Sequence, residues 1–244
     1  MKQSCFAVRS NEALAPGVYD LRMTGDTSGI IAPGQFVNLL LPGFYLRRPI
    51  SVCDWGPGEL RLVYKVQGRG TAAMATYAPG TKLDLLTGLG NGYDEAKSGP
   101  HPLLVGGGVG VPPLLGLARR LREAGKSPTA VLGFNQASEI LLKDEFEALG
   151  VPVFLTTADG SAGLRGFVTA GMAEAGDYSF VYTCGPEPML RAVWTACKSG
   201  GEFSLERRMG CGFGACMGCT CETKEGWKRV CREGPVLEKE EIIW

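Results

Sequence analysis

The chain has 244 residues, 25 basic against 25 acidic, with 45% hydrophobic and 20% charged residues, a globular balance with room for two small domains and an appendage. Cancelled charge removes the electrostatic footprint of a nucleic-acid binder. A single histidine, His101, excludes a two-histidine zinc site and leaves a catalytic triad one candidate; set between Pro100 and Pro102, it reads as an idle loop residue.

Residues 1–9 lack the apolar core of a secretory signal. The longest uncharged stretch, Gly99 to Ala118, is broken by six glycines and four prolines, so no membrane span is expected. Nine cysteines, five of them between Cys211 and Cys231 and without an export signal, point to metal ligation in a reducing compartment, hence to a cytoplasmic protein.

In chain order, residues 1–97 read as an antiparallel β-barrel. Short alternating runs at Phe6–Val8, Gly17–Met23, Gln35–Leu41, Leu60–Val66 and Lys82–Leu86 are punctuated by Pro-Gly dipeptides at 16, 33, 42, 57 and 79. Residues 98–204 switch to strand then helix: Pro102–Val105 before a glycine cluster, a helix over 114–124, and strands at Thr129–Phe134, Val151–Leu155 and Ser179–Thr183. That alternation predicts a parallel sheet covered by helices. Residues 205–244 carry the cysteine cluster and are too short for a core of their own, so they are expected to need a cofactor or a partner to fold.

Cys211, Cys216 and Cys219, followed by Cys231, are spaced x4, x2 and x11. A [2Fe–2S] cluster takes four thiolates, and x4-x2 is the order of plant-type ferredoxins. Glycines at 210, 212, 214 and 218 suit a loop wrapped around it. A structural zinc site is the alternative, but such sites usually pair two C-x2-C turns and only one is present. Cys221 is an alternative fourth ligand, although the more distant Cys231 closes the cage with less strain.

Gly106, Gly107, Gly108 and Gly110 follow a strand and precede a helix, so the backbone there can approach a pyrophosphate. Pro113 stands where the third glycine of a G-x-G-x-x-G fingerprint would be. Cys184-Gly185-Pro186 also follows a strand and is expected at the same carboxyl edge of the sheet. The stretch Gly133–Ser138 offers no arginine for a 2′-phosphate, which favours NAD over NADP. Arg47-Arg48-Pro49-Ile50-Ser51 and Gly68-Arg69-Gly70-Thr71 supply an arginine fork and a Gly-Thr helix start for phosphate.

Taken in this order, the motifs resemble the electron-transfer subunits of the class B, NAD-dependent dihydroorotate dehydrogenases, a family within the ferredoxin reductase superfamily. The run Glu206–Cys216 is the stretch most specific to it. The resemblance implies that Arg48, Pro49, Ile50 and Ser51 hold FAD, that Val63, Tyr64 and Lys65 line it, and that Gly70 and Thr71 bind its pyrophosphate. It maps the four cluster ligands onto Cys211, Cys216, Cys219 and Cys231. It further implies a partner, an FMN-containing catalytic subunit that oxidises dihydroorotate in pyrimidine biosynthesis, in a heterotetramer of two plus two, with electrons passing through [2Fe–2S] and FAD to NAD. The chain itself has nothing resembling the (β/α)₈ barrel such a catalytic subunit needs. Hydride exchange between flavin and nicotinamide is a matter of positioning, so no acid–base catalytic residue is expected. Phe213 and Met217 are expected at the partner interface or packed over the cluster. The rival readings are a flavoprotein subunit of a sulfide dehydrogenase, hydrogenase or NAD(P)H:ferredoxin oxidoreductase, and a zinc-stabilised nucleotide-sensing module.

Overall fold

The computed structural model describes all 244 residues. Strands β1 (Lys2–Ala15), β2 (Val18–Thr24), β3 (Phe36–Leu40), β4 (Arg48–Gly56), β5 (Glu59–Lys65) and β6 (Lys82–Leu89) close into an antiparallel barrel in the order β1-β2-β5-β4-β3-β6, with α1 (Arg69–Met74) between β5 and β6. Period-two alternation builds it. Along β5, Leu60, Leu62 and Tyr64 enter the barrel core while Glu59, Arg61 and Lys65 face out. Two elements differ from the sequence reading. β1 runs far beyond Phe6–Val8, because its second half pairs with β2 while its first half pairs with β6. The Arg48–Ser51 run is the beginning of a nine-residue strand.

The second unit contains β7 (Pro102–Gly107), α2 (Pro112–Glu123), β8 (Thr129–Phe134), α3 (Lys143–Ala148), β9 (Val153–Thr157), β10 (Leu164–Arg165), α4 (Val168–Glu174), β11 (Phe180–Cys184), α5 (Glu187–Ala196) and β12 (Gly201–Ser204). Its sheet runs β10-β9-β8-β7-β11-β12 in parallel. Helix α2 shows why this segment is helical: Leu114, Leu115, Leu117, Ala118 and Leu121 form its buried face, and Pro112 and Pro113 occupy first-turn positions where no N–H is required. Gly125, at φ +77°, follows its end.

The cysteine segment contains the hairpin β13 (Thr220–Thr223) and β14 (Gly226–Arg229), then returns as β15 (Val236–Glu238), which pairs antiparallel with β12 and completes the large sheet. The neighbouring sheet anchors the segment in addition to any cofactor or partner. Cys219, Cys221, Val230 and Cys231 share a core with Phe36 of the barrel and with Val105, Val181 and Phe203 of the sheet.

The barrel and the α/β unit are locked together. Arg61 donates to both Asp20 carboxylate oxygens at 2.9–3.1 Å and forks onto Glu145 of α3 at 2.5 and 2.8 Å. Arg119 pairs with Asp54, and the Tyr93 hydroxyl donates to the Thr183 carbonyl at 2.9 Å. A Cβ on Gly116 of α2 would stand 2.9 Å from the Cys53 carbonyl oxygen, so the helix lies directly on β4.

Candidate cofactor sites

The cysteine loop is wound with its N–H groups turned inward. The backbone N–H groups of Phe213, Ala215 and Cys216 donate to Cys211 Sγ at 3.5, 3.3 and 3.4 Å, and the Cys211 N–H donates to Cys216 Sγ at 3.4 Å. The Cys231 N–H donates to Cys219 Sγ at 3.4 Å. Burial pushes the Cys211 thiol up, but the N–H groups of Phe213, Cys216 and Ala215 outweigh it and hold the thiol at about 6. Burial, then the neighbouring Cys219 thiol, pushes Cys231 up to about 12. No three His, Cys, Asp or Glu side chains converge closely enough to hold a single metal ion. The hydrogen bonds instead group the thiols as Cys211 with Cys216 and Cys219 with Cys231, a donor set that fits two irons with two thiolates each. Cys221 is buried in β13, pointing into the core shared with Val230 and Ile242.

This loop rests on the barrel. Phe36 and Asn38, two apart on the outer face of β3, are covered by the cysteine segment. Asn38 Nδ2 donates to the Cys211 carbonyl at 3.0 Å, and a Cβ on Gly212 would stand 2.4 Å from that nitrogen. Gly212 has φ +78°, so glycine is required there twice over. Asn38 lies across the ladder from Pro49 of β4. One buried amide therefore joins the cysteine loop to the Arg48–Ser51 run. Sequence reasoning missed Asn38, whose signal is a lone polar residue inside the apolar run from Phe36 to Leu41.

Arg48 lies against the start of α1: a Cβ on Gly70 would stand 2.3 Å from its Nε. The guanidinium also stacks over Phe44 at 5.0 Å. Thr71 Oγ1 accepts from the Gln67 N–H at 2.9 Å and donates to the Gly68 carbonyl, which fixes the turn. Pro49 and Ser51 face outward on β4 and are half-buried, while Ile50 leans toward the barrel core. Lys65 is exposed at the end of β5, and Val63 packs outward with Val111 and Leu114 beside the glycine loop. The Tyr64 ring is 2% exposed inside the barrel, stacked on Tyr19 with its hydroxyl donating to Asn11 at 3.1 Å. A lining role for Tyr64 is thereby confined to its backbone. The Arg48–Gly70 cradle fits a phosphate-bearing flavin nucleotide.

At the carboxyl edge of the sheet the two glycine loops interlock. A Cβ on Gly110 would stand 2.3 Å from the Cys184 carbonyl oxygen, one on Gly107 2.4 Å from Met189 Sδ, and one on Gly185 2.5 Å from Met189 Cε. Gly106 is packed under Val111 in the same way, and Gly108, at φ +52°, faces open space. Pro186 precedes α5 and is exposed. Burial pushes the Cys184 thiol up to about 11, leaving it a neutral wall. The open face at Gly108, at the head of α2, leaves backbone free to approach a dinucleotide pyrophosphate. The end of β8 has no arginine, but the next turn places Asp159 and Arg165 nearby: the Asp159 N–H donates to the Asn135 carbonyl at 3.2 Å, and Arg165 lies against Gly160. A cavity of about 710 Å3 lies elsewhere, between residues 25–30, the β4–β5 turn and the far half of α2.

Comparison with known proteins bears directly on these sites. Residues 206–243 match the family model described as the iron-sulfur cluster binding domain of dihydroorotate dehydrogenase B, and residues 104–195 match the oxidoreductase NAD-binding domain. The dihydroorotate dehydrogenase B (NAD(+)) electron transfer subunit of Geobacillus sp. (strain WCH70) is 39% identical, covering 100% of this chain and 99% of that protein. The corresponding subunit of Shouchella clausii (strain KSM-K16) is 38% identical, with 99% and 98% covered. The chain belongs to this family. It is an electron-transfer oxidoreductase chain, and these matches support FAD, [2Fe–2S] and NAD as its cofactors. Among solved structures, an NADH-dependent reduced ferredoxin-NADP oxidoreductase is similar with a TM-score of 0.89 and 30% identity, covering 98% of this chain and 89% of that one. The ferredoxin reductase of carbazole 1,9a-dioxygenase, at 20% identity and a TM-score of 0.67 over 80% of this chain and 65% of that one, shares the fold. No helix is long and apolar enough to cross a membrane.

Proposed function

We propose that this chain links a separate, FMN-containing subunit that oxidises dihydroorotate to the reduction of NAD, serving pyrimidine biosynthesis in the cytoplasm. The observation that carries the reading is the contact between Asn38 and Cys211, which seats the cysteine loop on the barrel wall beside Arg48–Ser51. When bound, the cluster supplies single-electron exchange, and a flavin couples it to the two-electron chemistry of nicotinamide. In this reading Cys211, Cys216, Cys219 and Cys231 ligate the two irons. Arg48 forks to a flavin phosphate, Gly70 and Thr71 present backbone N–H groups to it, and Pro49, Ser51, Val63 and Lys65, with the backbone at Ile50 and Tyr64, form the wall beneath the ring. Gly106, Gly107, Gly108 and Gly110 hold the NAD pyrophosphate, and Cys184, Gly185 and Pro186 limit where the nicotinamide sits. The units divide as 1–97, 98–204 and 205–244.

Phe213 and Met217, 42% and 55% exposed on the cysteine loop, are the apolar side chains offered to the partner subunit, in a heterotetramer of two plus two. Residue types of this kind are enriched in interface cores. The purified chain is expected to oxidise NADH with an artificial acceptor and to show no dihydroorotate oxidation; adding the catalytic subunit restores NAD-linked turnover. Robust dihydroorotate:NAD activity from this chain alone overturns the proposal. A second reading, the flavoprotein subunit of an NAD(P)H:ferredoxin oxidoreductase, is favoured by the likeness to the solved oxidoreductase; it predicts rapid exchange with ferredoxin and no gain from a dihydroorotate-oxidising partner.

A further inference from the structure

The cysteine loop is gripped from two sides through its carbonyl groups. Asn38 takes the Cys211 carbonyl from the barrel, and Arg229 takes the Gly214 carbonyl from the hairpin, its Nη1 donating at 2.7 Å. A trans peptide is planar, with its C=O and N–H pointing in opposite directions. The Gly214 carbonyl belongs to the same peptide unit as the Ala215 N–H, which donates to Cys211 Sγ at 3.3 Å. Pinning the oxygen outward therefore aims the hydrogen inward.

Arg229 is itself held firmly. It ends β14, where it pairs with Thr220 of β13. Its Nε donates to Glu233 Oε2 at 3.0 Å, its own backbone N–H donates to the same oxygen at 2.8 Å, and Nη2 pairs with Glu233 Oε1. Gly214, at φ +91°, presses its α-carbon against this side: a Cβ there would stand 2.7 Å from Arg232 Cδ and 3.5 Å from Arg229 Nη1. The Val230 N–H donates to the Cys219 carbonyl, which ties the residue after Arg229 to a third cysteine.

We propose that Arg229, braced by Glu233, is a positioning residue that fixes the Ala215 N–H on Cys211 Sγ and thereby sets the reduction potential of the cluster. The inference rests on Cys211, Cys216, Cys219 and Cys231 being the ligands. Hydrogen bonds to the sulfurs and local net charge are among the factors that set such potentials. Adding an electron makes the cluster more negative, so a donor aimed at a ligand sulfur and a nearby guanidinium both favour the reduced form. Glu233 works against the charge while holding the geometry.

The test is an EPR-monitored redox titration of the cluster-loaded chain and of Arg229→Gln, Arg229→Lys and Glu233→Gln. Arg229→Gln is expected to shift the balance about tenfold toward the oxidised cluster, ~59 mV downward for a one-electron couple. Arg229→Lys, which keeps the charge without the fork, falls between Arg229→Gln and the unaltered chain. Glu233→Gln keeps an amide oxygen to accept the Arg229 N–H and Nε, so the brace holds while the opposing charge is lost, and the potential shifts upward. Unchanged potentials in both Arg229→Gln and Glu233→Gln, with only the melting temperature lowered, overturn the inference. Where Arg229→Gln does not retain a cluster, Glu233→Gln decides: an upward shift supports the inference, and no shift or a downward one overturns it. An unaltered chain lacking two irons and two sulfides refutes the ligand reading first, and the inference with it.

Discussion

Replacing Gly110 by alanine tests the interlocking of the two nucleotide loops. The new Cβ would stand 2.3 Å from the Cys184 carbonyl oxygen, 2.5 Å from its carbon and 2.6 Å from Gly185 N, whereas unstrained carbon atoms sit about 3.5–4.0 Å apart. All three neighbours are backbone atoms, so no change of rotamer relieves the overlap. β7 and β11 are paired directly, with Gly106 opposite Cys184, so the loops beyond them must part by about 1 Å. Overpacking of this sort costs roughly 1–3 kcal/mol, and at ~3 °C per kcal/mol for a chain of this size the melting temperature falls by ~3–9 °C. Parting the loops also displaces the groups proposed to flank the dinucleotide; a loss of ~1.4 kcal/mol there weakens NADH tenfold. Gly125→Ala is the control. Its Cβ meets nothing within 4 Å, but its φ of +77° is unfavourable for alanine, so it lowers stability by ~1–2 kcal/mol without touching the loops. Melting curves and NADH titrations of flavin reduction separate the two variants. Gly110→Ala with native NADH affinity refutes the reasoning, whatever its melting temperature.

Cys221→Ser is expected to keep two irons and two sulfides per chain and Cys231→Ser to lose them, as iron and sulfide analysis will show; the reverse pattern transfers the fourth ligand to Cys221. Arg61→Met leaves Asp20 with Arg22 alone and Glu145 unpaired across the junction between barrel and α/β unit, and breaking such a buried pair costs about 3–5 kcal/mol, read as a fall in thermal or urea stability; an unchanged midpoint argues against the lock. NADH is expected to reduce the bound flavin faster than NADPH at equal concentration, since the end of β8 offers no arginine for a 2′-phosphate; faster reduction by NADPH would assign the controlling role to Arg165. Phe213→Glu is expected to retain its cluster and lose affinity for the catalytic subunit by at least tenfold in a co-purification or calorimetric assay.

What the sequence made legible was local chemistry. Pro-Gly turns marked the barrel because φ preferences act over two residues: Gly17, Gly34, Gly43, Gly58 and Gly80 all take positive φ. The glycine cluster at 106–110 and the Cys-Gly-Pro turn at 184–186 lie at one sheet edge, as the sequence implied, because a strand followed by a glycine turn has one place to go in a parallel sheet. What escaped were contacts made across the chain. Asn38 and Cys211 lie 173 residues apart, and nothing in the spacing of either motif announces their contact. Tyr64 was read beside Val63 and Lys65 as one lining stretch, yet strand alternation turns its ring into the barrel. β15 escaped because Val236-Leu237-Glu238 is three residues long, below the length at which a periodic pattern can be recognised, and because its antiparallel partner is the edge of a sheet otherwise wholly parallel.

That last strand alters how the cysteine segment should be regarded. Residues 205–235 leave the sheet at β12 and come back to it at β15, so the cysteines sit on an excursion whose two ends are stitched side by side. The entropy of closing this loop is met by main-chain pairing, which holds the thiols within a small volume. Cutting the chain after Ser204 would do more than remove a prosthetic group: it would uncover β12, a four-residue strand buried throughout, and present its unpaired backbone to the next molecule. The segment serves as the hem of the sheet as well as the holder of the metal, and the two roles can be lost separately.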